Sequence, residues 1–304
     1  MPEPEWAGRR ISLLAYGKVN LTLAVTGRRQ DGYHTLCGVM QSIGLGNRLT
    51  LDASPRKSGE PAVSLRCDDP QLPTDRRNTA AKAAFAFLEE AGLQTQAHLA
   101  VFVEKRIPYQ AGLGSASADA AGVLAGANAL FGKPLSRERL LSLAASVGAD
   151  VPFCLTGGTQ RAEGIGEILT PLSVLPACAL LIAKPPEGVS TPEAYARFDA
   201  LPHPARPDCA ALEAALAAGN LAEIASACGN AFEQCCPVPA VGMLNIAMRE
   251  AGALGGAMSG SGTAVFGIFS NRQAACAAKE QLAPRFAGCR FFVTEPKQSG
   301  IVFA

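Results

Sequence analysis

The stretch from Pro108 to Ala121, PYQAGLGSASADAA, constrains the fold more than any other part of the chain. An alternating apolar run, Leu99, Val101 and Val103, leads into it, and a small-residue run from Ala120 to Phe131 leaves it. The pattern predicts a strand, a tight loop and the N-terminus of a helix. Gly112 and Gly114 permit positive φ and remove the Cβ atoms that would hold a ligand off the backbone. Ser115 and Ser117 put hydroxyls at the helix start. The first amides of that helix lack intrahelical partners, and the macrodipole places roughly +0.5 charge beside them. An anion such as phosphate suits that position. Taken alone, the loop fits a glycine turn with a serine N-cap equally well.

The chain of 304 residues is long enough for two lobes and a substantial core. With 48% hydrophobic and 17% charged residues it is a folded protein rather than a disordered one. The formal net charge of +1 argues against nucleic acid or an anionic membrane as the main partner. No apolar run approaches the ~20 residues of a membrane span. The start, Met1 to Trp6, shows no basic region followed by an apolar stretch, so no secretory signal is expected. The 10 cysteines are scattered without a C-x-x-C, and with the 3 histidines they offer no zinc spacing, so no protein-bound metal is expected. Reduced, mostly buried thiols in a cytoplasmic protein are the expectation, with the adjacent Cys235 and Cys236 a minor redox alternative.

Along the chain, Ile11 to Val25 alternates on either side of Tyr16-Gly17-Lys18-Val19-Asn20, which predicts two strand pieces with a bend between them. Asp31-Gly32 signals a turn, with Tyr33 and His34 just beyond it. Strands are predicted at Val39–Leu51, Val63–Cys67 and His98–Arg106. Helices are predicted from Asn78 or Thr79 to Ala91, after the glycine loop to Gly132, and from Ser136 to Gly148. Beyond Thr170 come a strand at Cys178–Ala183, a short helix opened by Ser190-Thr191-Pro192-Glu193, and helices at Ala210–Ala218, Asn220–Cys235 and Val238–Gly252. A second glycine loop, Gly255 to Gly262, runs into a strand at Thr263–Phe269. A helix capped by Asn271 and a strand at Cys289–Thr294 follow, and Ser299–Ala304 could return to the first lobe. The alternation indicates an α+β chain in two lobes.

Asp150 is expected just beyond a helix end, with Pro152 restricting Val151 to extended geometry and turning the chain sharply. Either it is an ordinary helix-end polar residue or it has a perturbed, catalytic role. Lys18 interrupts an apolar segment; a strand-edge charge is the common meaning. Together beside a phosphate loop, the two would instead form a reactive pair. Tyr33 and His34 offer a ring face and a polar ring edge, suited to a planar heterocycle or to local packing. Ser259-Gly260-Ser261-Gly262 is either a second nest of amides or a flexible turn. A Walker A sequence, a dinucleotide fingerprint and a protein-kinase motif set are all absent.

The order P-x-x-x-G-L-G-S-x-S, an early lysine and a late G-S-G resemble the GHMP kinase superfamily of small-molecule kinases. Gly17–Leu21, Arg29–Leu36, Leu143 with Gly148–Phe153, and Met258–Thr263 resemble the branch whose substrate carries a cytidine diphosphate. The resemblance runs from about Ala15 to Phe269. It implies two lobes, residues 1–168 resembling domain 2 of a ribosomal protein and residues 169–304 ferredoxin-like. It implies ATP and Mg²⁺ as cofactors, with ATP phosphates on Pro108 and Gly112–Ser117 (Gly112, Leu113, Gly114, Ser115, Ala116, Ser117). It implies Lys18 and Asp150 as the catalytic pair, and Asn20, Tyr33, His34, Thr191 and Tyr195 at the substrate. The implied reaction phosphorylates a tertiary alcohol of a cytidine-diphosphate-linked erythritol, an isoprenoid precursor. The oligomeric expectation is a monomer or weak homodimer. Alternatives are a kinase of mevalonate, homoserine or a sugar, and a non-catalytic relative. The family's loop usually reads G-x-G-L-G-G-G-S-S-N-A-A; here Ser115, Ala116, Ala118 and Asp119 depart from it. Asp119 is expected either to compete with a phosphate or to help hold Mg²⁺.

Overall fold

The computed structural model describes residues 4–304; the first three residues of the start read above for a secretory signal lie outside them. A long β-hairpin, β1 (Arg10–Arg28) and β2 (His34–Pro55), forms the spine of the larger sheet, with Asp31 and Gly32 at its tip. Then follow β3 (Val63–Cys67), α1 (Thr79–Glu90), β4 (Ala97–Glu104), α2 (Ser115–Leu130), α3 (Arg137–Val147), α4 (Val151–Thr156), β5 (Thr159–Gly164) and β6 (Ile168–Pro171). The second half holds β7 (Ala179–Lys184), α5 (Thr191–Asp199), α6 (Cys209–Ala218), α7 (Leu221–Ser226), β8 (Gly229–Asn230) and a 3₁₀ turn at Ala231–Cys235. It closes with α8 (Pro239–Glu250), β9 (Gly255–Met258), β10 (Val265–Phe269), α9 (Arg272–Leu282), β11 (Arg290–Thr294), β12 (Pro296–Lys297) and β13 (Ile301–Phe303).

Two sheets result. The larger runs β13-β1-β2-β4-β3, with β5 and β12 joined to β2, β6 to β5 and β8 to β1; the smaller is antiparallel, β11-β7-β10-β9. The C-terminal segment does return to the first half: Leu13, Leu14 and Ala15 pair with Phe303, Val302 and Ile301. In β4, alternate residues Ala97, Leu99, Val101 and Val103 are buried, the period-two signature of a strand with one face on the core. Asn78 caps α1 by accepting the Ala80 amide, an interaction that contributes about 1 kcal/mol.

The helix after the glycine loop is buried almost all round, because its residues are small. A Cβ built on Gly126 would lie within 3.0 Å of side-chain carbons of Leu13 and Leu51, so α2 rests directly on the sheet. This close seat fixes the height at which the N-terminus of α2 opens into the cleft.

Three expectations are corrected. The region around Lys18 is one strand rather than two pieces; register shifts at Tyr16/Lys18 and Asn20/Thr22 bend it without breaking it. Such bulges re-aim side chains while the ladder continues. The helix expected over Asn220–Cys235 ends at Ser226, because Gly229 and Asn230 extend to pair with Thr22 and Leu23 of β1. Val151 is not extended: it opens α4, with Pro152 in the first turn, where a missing N–H breaks no helical bond. Asp150 therefore sits at the N-cap of α4, and its side chain makes no capping bond there.

Candidate active site

A cleft of about 890 Å³ lies where the two glycine loops meet the bulged part of β1. The loops are pinned to one another by backbone. The Lys18 amide donates to the Leu113 carbonyl at 3.0 Å, and the Ala264 amide donates to the Ala111 carbonyl at 3.1 Å. The Ser259 hydroxyl donates to the Gly112 carbonyl at 2.9 Å and accepts the Asn20 amide at 3.1 Å. Asn230 donates to the carbonyls of Met258 and Gly260 at 2.7 and 2.8 Å, holding the second loop from below.

Of the residues expected at the catalytic pair, the two glycine loops and the substrate, all but Ser259 line this cleft: Lys18, Asn20, Tyr33, His34, Pro108, Gly112, Leu113, Gly114, Ser115, Ala116, Ser117, Asp150, Thr191, Tyr195, Gly260, Ser261 and Gly262. Ser259 is fully buried beneath it as the tie between the loops. Gly112 has φ of 72°, and a Cβ there would stand 1.8 Å from the Ser259 carbonyl oxygen, a backbone atom that cannot yield. Gly112→Ala is therefore expected to spread the two loops. Calorimetric titration with ATP should show at least about tenfold weaker binding, the equivalent of 1.4 kcal/mol.

Lys18 is 3% exposed, which is unusual for an ammonium and requires partners. Its Nζ donates to Asn20 Oδ1 at 2.5 Å and lies 3.5 Å from Asp150 Oδ2. Asp150 is half-buried, and its carboxylate faces the cleft rather than the backbone of its own helix. The pair thus joins β1 to the start of α4 at the mouth of the first glycine loop. Thr191, the first residue of α5, meets Ser261 across the cleft, hydroxyl to hydroxyl at 3.2 Å.

At the other end of the cleft, Tyr33 is 62% exposed at the hairpin tip, leaving its ring free to stack. His34 is instead tucked in, its ring stacked on Tyr195 with centroids 4.5 Å apart. Tyr195 sets its edge against Phe232, and burial pushes its phenol up to about 12, so the hydroxyl stays protonated. His34 Nε2 lies 2.7 Å from Asp199 Oδ1, and Arg28 Nη1 lies 3.3 Å from the other Asp199 oxygen.

The structure also places Asp119 away from either role expected of it. Asp119 is buried under the loop and turned from the cleft; Lys105 Nζ contacts its Oδ2 at 2.5 Å, and Asn47 donates to its Oδ1 at 2.6 Å. Burial raises the Asp119 carboxyl, and the adjacent Lys105 opposes that rise. Neither competition with a phosphate nor a role in holding Mg²⁺ fits this placement. The Ser115 hydroxyl joins the same network, accepting from Lys105 at 2.7 Å and donating to the Ile107 carbonyl at 3.2 Å. Ser117 keeps a free hydroxyl, with no protein hydrogen bond among those described. Asn47 completes the support by accepting the amides of Arg106 and Ile107 at 2.8 and 2.9 Å.

Sequence reasoning missed Asn47, Lys105, Asn230, Arg28 and Asp199. Lys105 was the most accessible of these, as a cation directly before the loop. The others act from distant strands or helices, and no local spacing marks them.

The chain matches two family models, described as GHMP kinases N terminal domain over residues 78–158 and GHMP kinases C terminal over residues 212–287. Each contains one of the two glycine loops, and together with the cleft they define a small-molecule kinase of GHMP type. A protein from Synechococcus sp. (strain JA-2-3B'a(2-13)) named 4-diphosphocytidyl-2-C-methyl-D-erythritol kinase is 41% identical over 303 residues, 96% of this chain and 95% of that protein. One of the same name from Desulfitobacterium hafniense (strain Y51) is 42% identical over 269 residues, 88% and 89% of the two chains. A crystal structure of 4-(cytidine 5'-diphospho)-2C-methyl-D-erythritol kinase superposes with a TM-score of 0.75 at 34% identity, covering 94% of this chain and 99% of that one. This chain belongs to the 4-diphosphocytidyl-2-C-methyl-D-erythritol kinase family. A homoserine kinase from Cytophaga hutchinsonii, TM-score 0.77 at 22% identity, shares the fold.

Proposed function

We propose that this chain transfers the γ-phosphoryl group of ATP to the 2-hydroxyl of 4-diphosphocytidyl-2-C-methyl-D-erythritol, a step toward isoprenoid precursors. The observation that carries the chemistry is the Lys18–Asp150 pair, 3.5 Å apart at the mouth of the phosphate loop. The relatives' shared name supports the substrate. The amides that open α2 carry no side-chain cap and suit the phosphates of the nucleotide. Asp150 accepts the proton of the attacking hydroxyl, while Lys18 and the loop amides offset charge on the γ-phosphoryl oxygens. Asn20 fixes the Lys18 ammonium, and the exposed Tyr33 ring offers a stacking face to the cytosine.

Mg²⁺ is usually held by one or two carboxylates together with substrate phosphates and water. In this reading the ion arrives with the nucleotide. The free Ser117 hydroxyl and the phosphates would hold it. There it would supply positive charge that offsets the charge of the nucleotide's phosphates.

We assign residues 1–168 to an ATP-binding and catalytic lobe and residues 169–304 to a substrate lobe, with β6, β12 and β13 of the second span completing the sheet of the first. The protein is proposed to work in the cytoplasm as a monomer or weak homodimer. No helix among the described residues is long and apolar enough to cross a membrane. All ten cysteines are free thiols; burial pushes Cys178, Cys209 and Cys228 up to about 12, which keeps them unreactive.

ADP release over a panel of alcohols tests the substrate. The cytidine-diphosphate-linked methylerythritol should be turned over at least about 100-fold faster than mevalonate, homoserine or galactose, because those alcohols leave the groups that face the cytidine end unpaired. Faster turnover of one of those non-nucleotide alcohols would refute the assignment.

A further inference from the structure

The corner around His34 holds a residue with no place in the chemistry above. Asp199, the last residue of α5, stands between two members of the β-hairpin, His34 and Arg28, which are directly paired across β1 and β2. One carboxylate oxygen faces His34 Nε2 at 2.7 Å and the other faces Arg28 at 3.3 Å. An ionised carboxylate can only accept hydrogen bonds, so a neutral His34 must carry its proton on Nε2. Nδ1 is then an acceptor. It bonds to no described protein group and is not among the sealed, unpartnered polar atoms of the protein. His34, Arg28 and Asp199 all line the cleft.

We infer that Asp199 is a positioning residue that sets the tautomer of His34, and through it the preference for a 4-amino over a 4-keto pyrimidine. This rests on the cytidine-diphosphate-linked substrate proposed above. Cytosine carries an N–H donor at its 4-position and uracil a carbonyl acceptor. A fixed acceptor at Nδ1 meets the first with a hydrogen bond and the second lone pair to lone pair. The ring is held rigidly enough to make the distinction, because Tyr195 stacks on it and Asp199 fixes its edge. Arg28 gives the arrangement a direction. Its guanidinium only donates, so in an amide at position 199 it would capture the oxygen and turn the NH₂ group toward His34. That would impose the opposite tautomer, with the proton on Nδ1.

The test measures kcat/KM for the cytidine-diphosphate-linked alcohol and for its uridine counterpart. In Asp199→Asn the cytidine-over-uridine ratio should fall at least about tenfold, the worth of one net hydrogen bond, with KM for ATP unchanged. In Asp199→Asn combined with Arg28→Ala, the amide is free to turn its oxygen back to Nε2, and part of the ratio should return. Nitrogen-15 NMR of the His34 ring in the free wild-type protein should report the Nε2–H tautomer, and Asp199→Asn should move it to Nδ1–H. An unchanged ratio in Asp199→Asn, or an Nδ1–H ring in the wild type, would overturn the inference. Failure of the wild type to phosphorylate the cytidine-linked alcohol would count against the proposed substrate instead, and the NMR result would still decide the role of Asp199.

Discussion

Asp150→Asn is expected to lower kcat by about 10²–10⁴-fold, the usual contribution of a positioned general base. KM for ATP should change by less than about threefold, because the loop proposed to hold the nucleotide leads into α2 and makes no bond to Asp150. Asparagine has the same shape, so the cleft stays intact while the proton acceptor is lost. Lys18 is left with one carboxylate fewer, but Asn20 still accepts from it at 2.5 Å. The measurement is steady-state kinetics with both substrates varied. Turnover near that of the wild type would remove Asp150 from the role of base.

Lys105→Met should have the largest effect on stability. It removes the cation from a buried pair and leaves Asp119 without compensation beneath the phosphate loop. Breaking a buried ion pair from one side costs about 3–5 kcal/mol. The loss has a pH signature. Burial already raises the Asp119 carboxyl, and without Lys105 the rise grows. A carboxyl whose folded pKa exceeds its unfolded one binds more protons when folded, so stability falls as pH rises through the folded value. The deficit of Lys105→Met should therefore be greatest at neutral pH and shrink toward acid pH. Urea unfolding at several pH values checks this, and a deficit that deepens as pH falls would contradict it. Since Lys105 also holds the Ser115 hydroxyl, KM for ATP should rise in the same variant.

The parts of the site that were legible in the sequence are those whose chemistry is local. Glycine at 112 and 114, followed by small residues, announces a backbone that approaches something closely and then becomes a helix. Asp31-Gly32 announces the hairpin tip that carries Tyr33 and His34. Where the fold departs from these local signals, tertiary contacts decide. Pro152 forced an extended reading of Val151, but a first-turn proline is compatible with a helix, and packing selected α4. The polar support of the loop was invisible for another reason. Asn47, Lys105 and Asp119 lie on three different elements, and only the fold reveals that the departure at Asp119 is matched by a lysine 2.5 Å away. Read locally, Asp119 looked like a charge facing a phosphate; in the structure it is a charge already neutralised and facing the core. The same holds for Asp199, an unremarked helix-end carboxylate until α5 packs against the hairpin.

Product identification tests the central claim most directly. Wild-type protein, ATP, Mg²⁺ and 4-diphosphocytidyl-2-C-methyl-D-erythritol are incubated, and the products are followed by phosphorus-31 NMR and mass spectrometry. One ADP is expected for each new phosphomonoester, located on the tertiary carbon, with the diphosphate bridge intact. ADP formed without a phosphorylated acceptor, or phosphate carried on a primary hydroxyl, would contradict it.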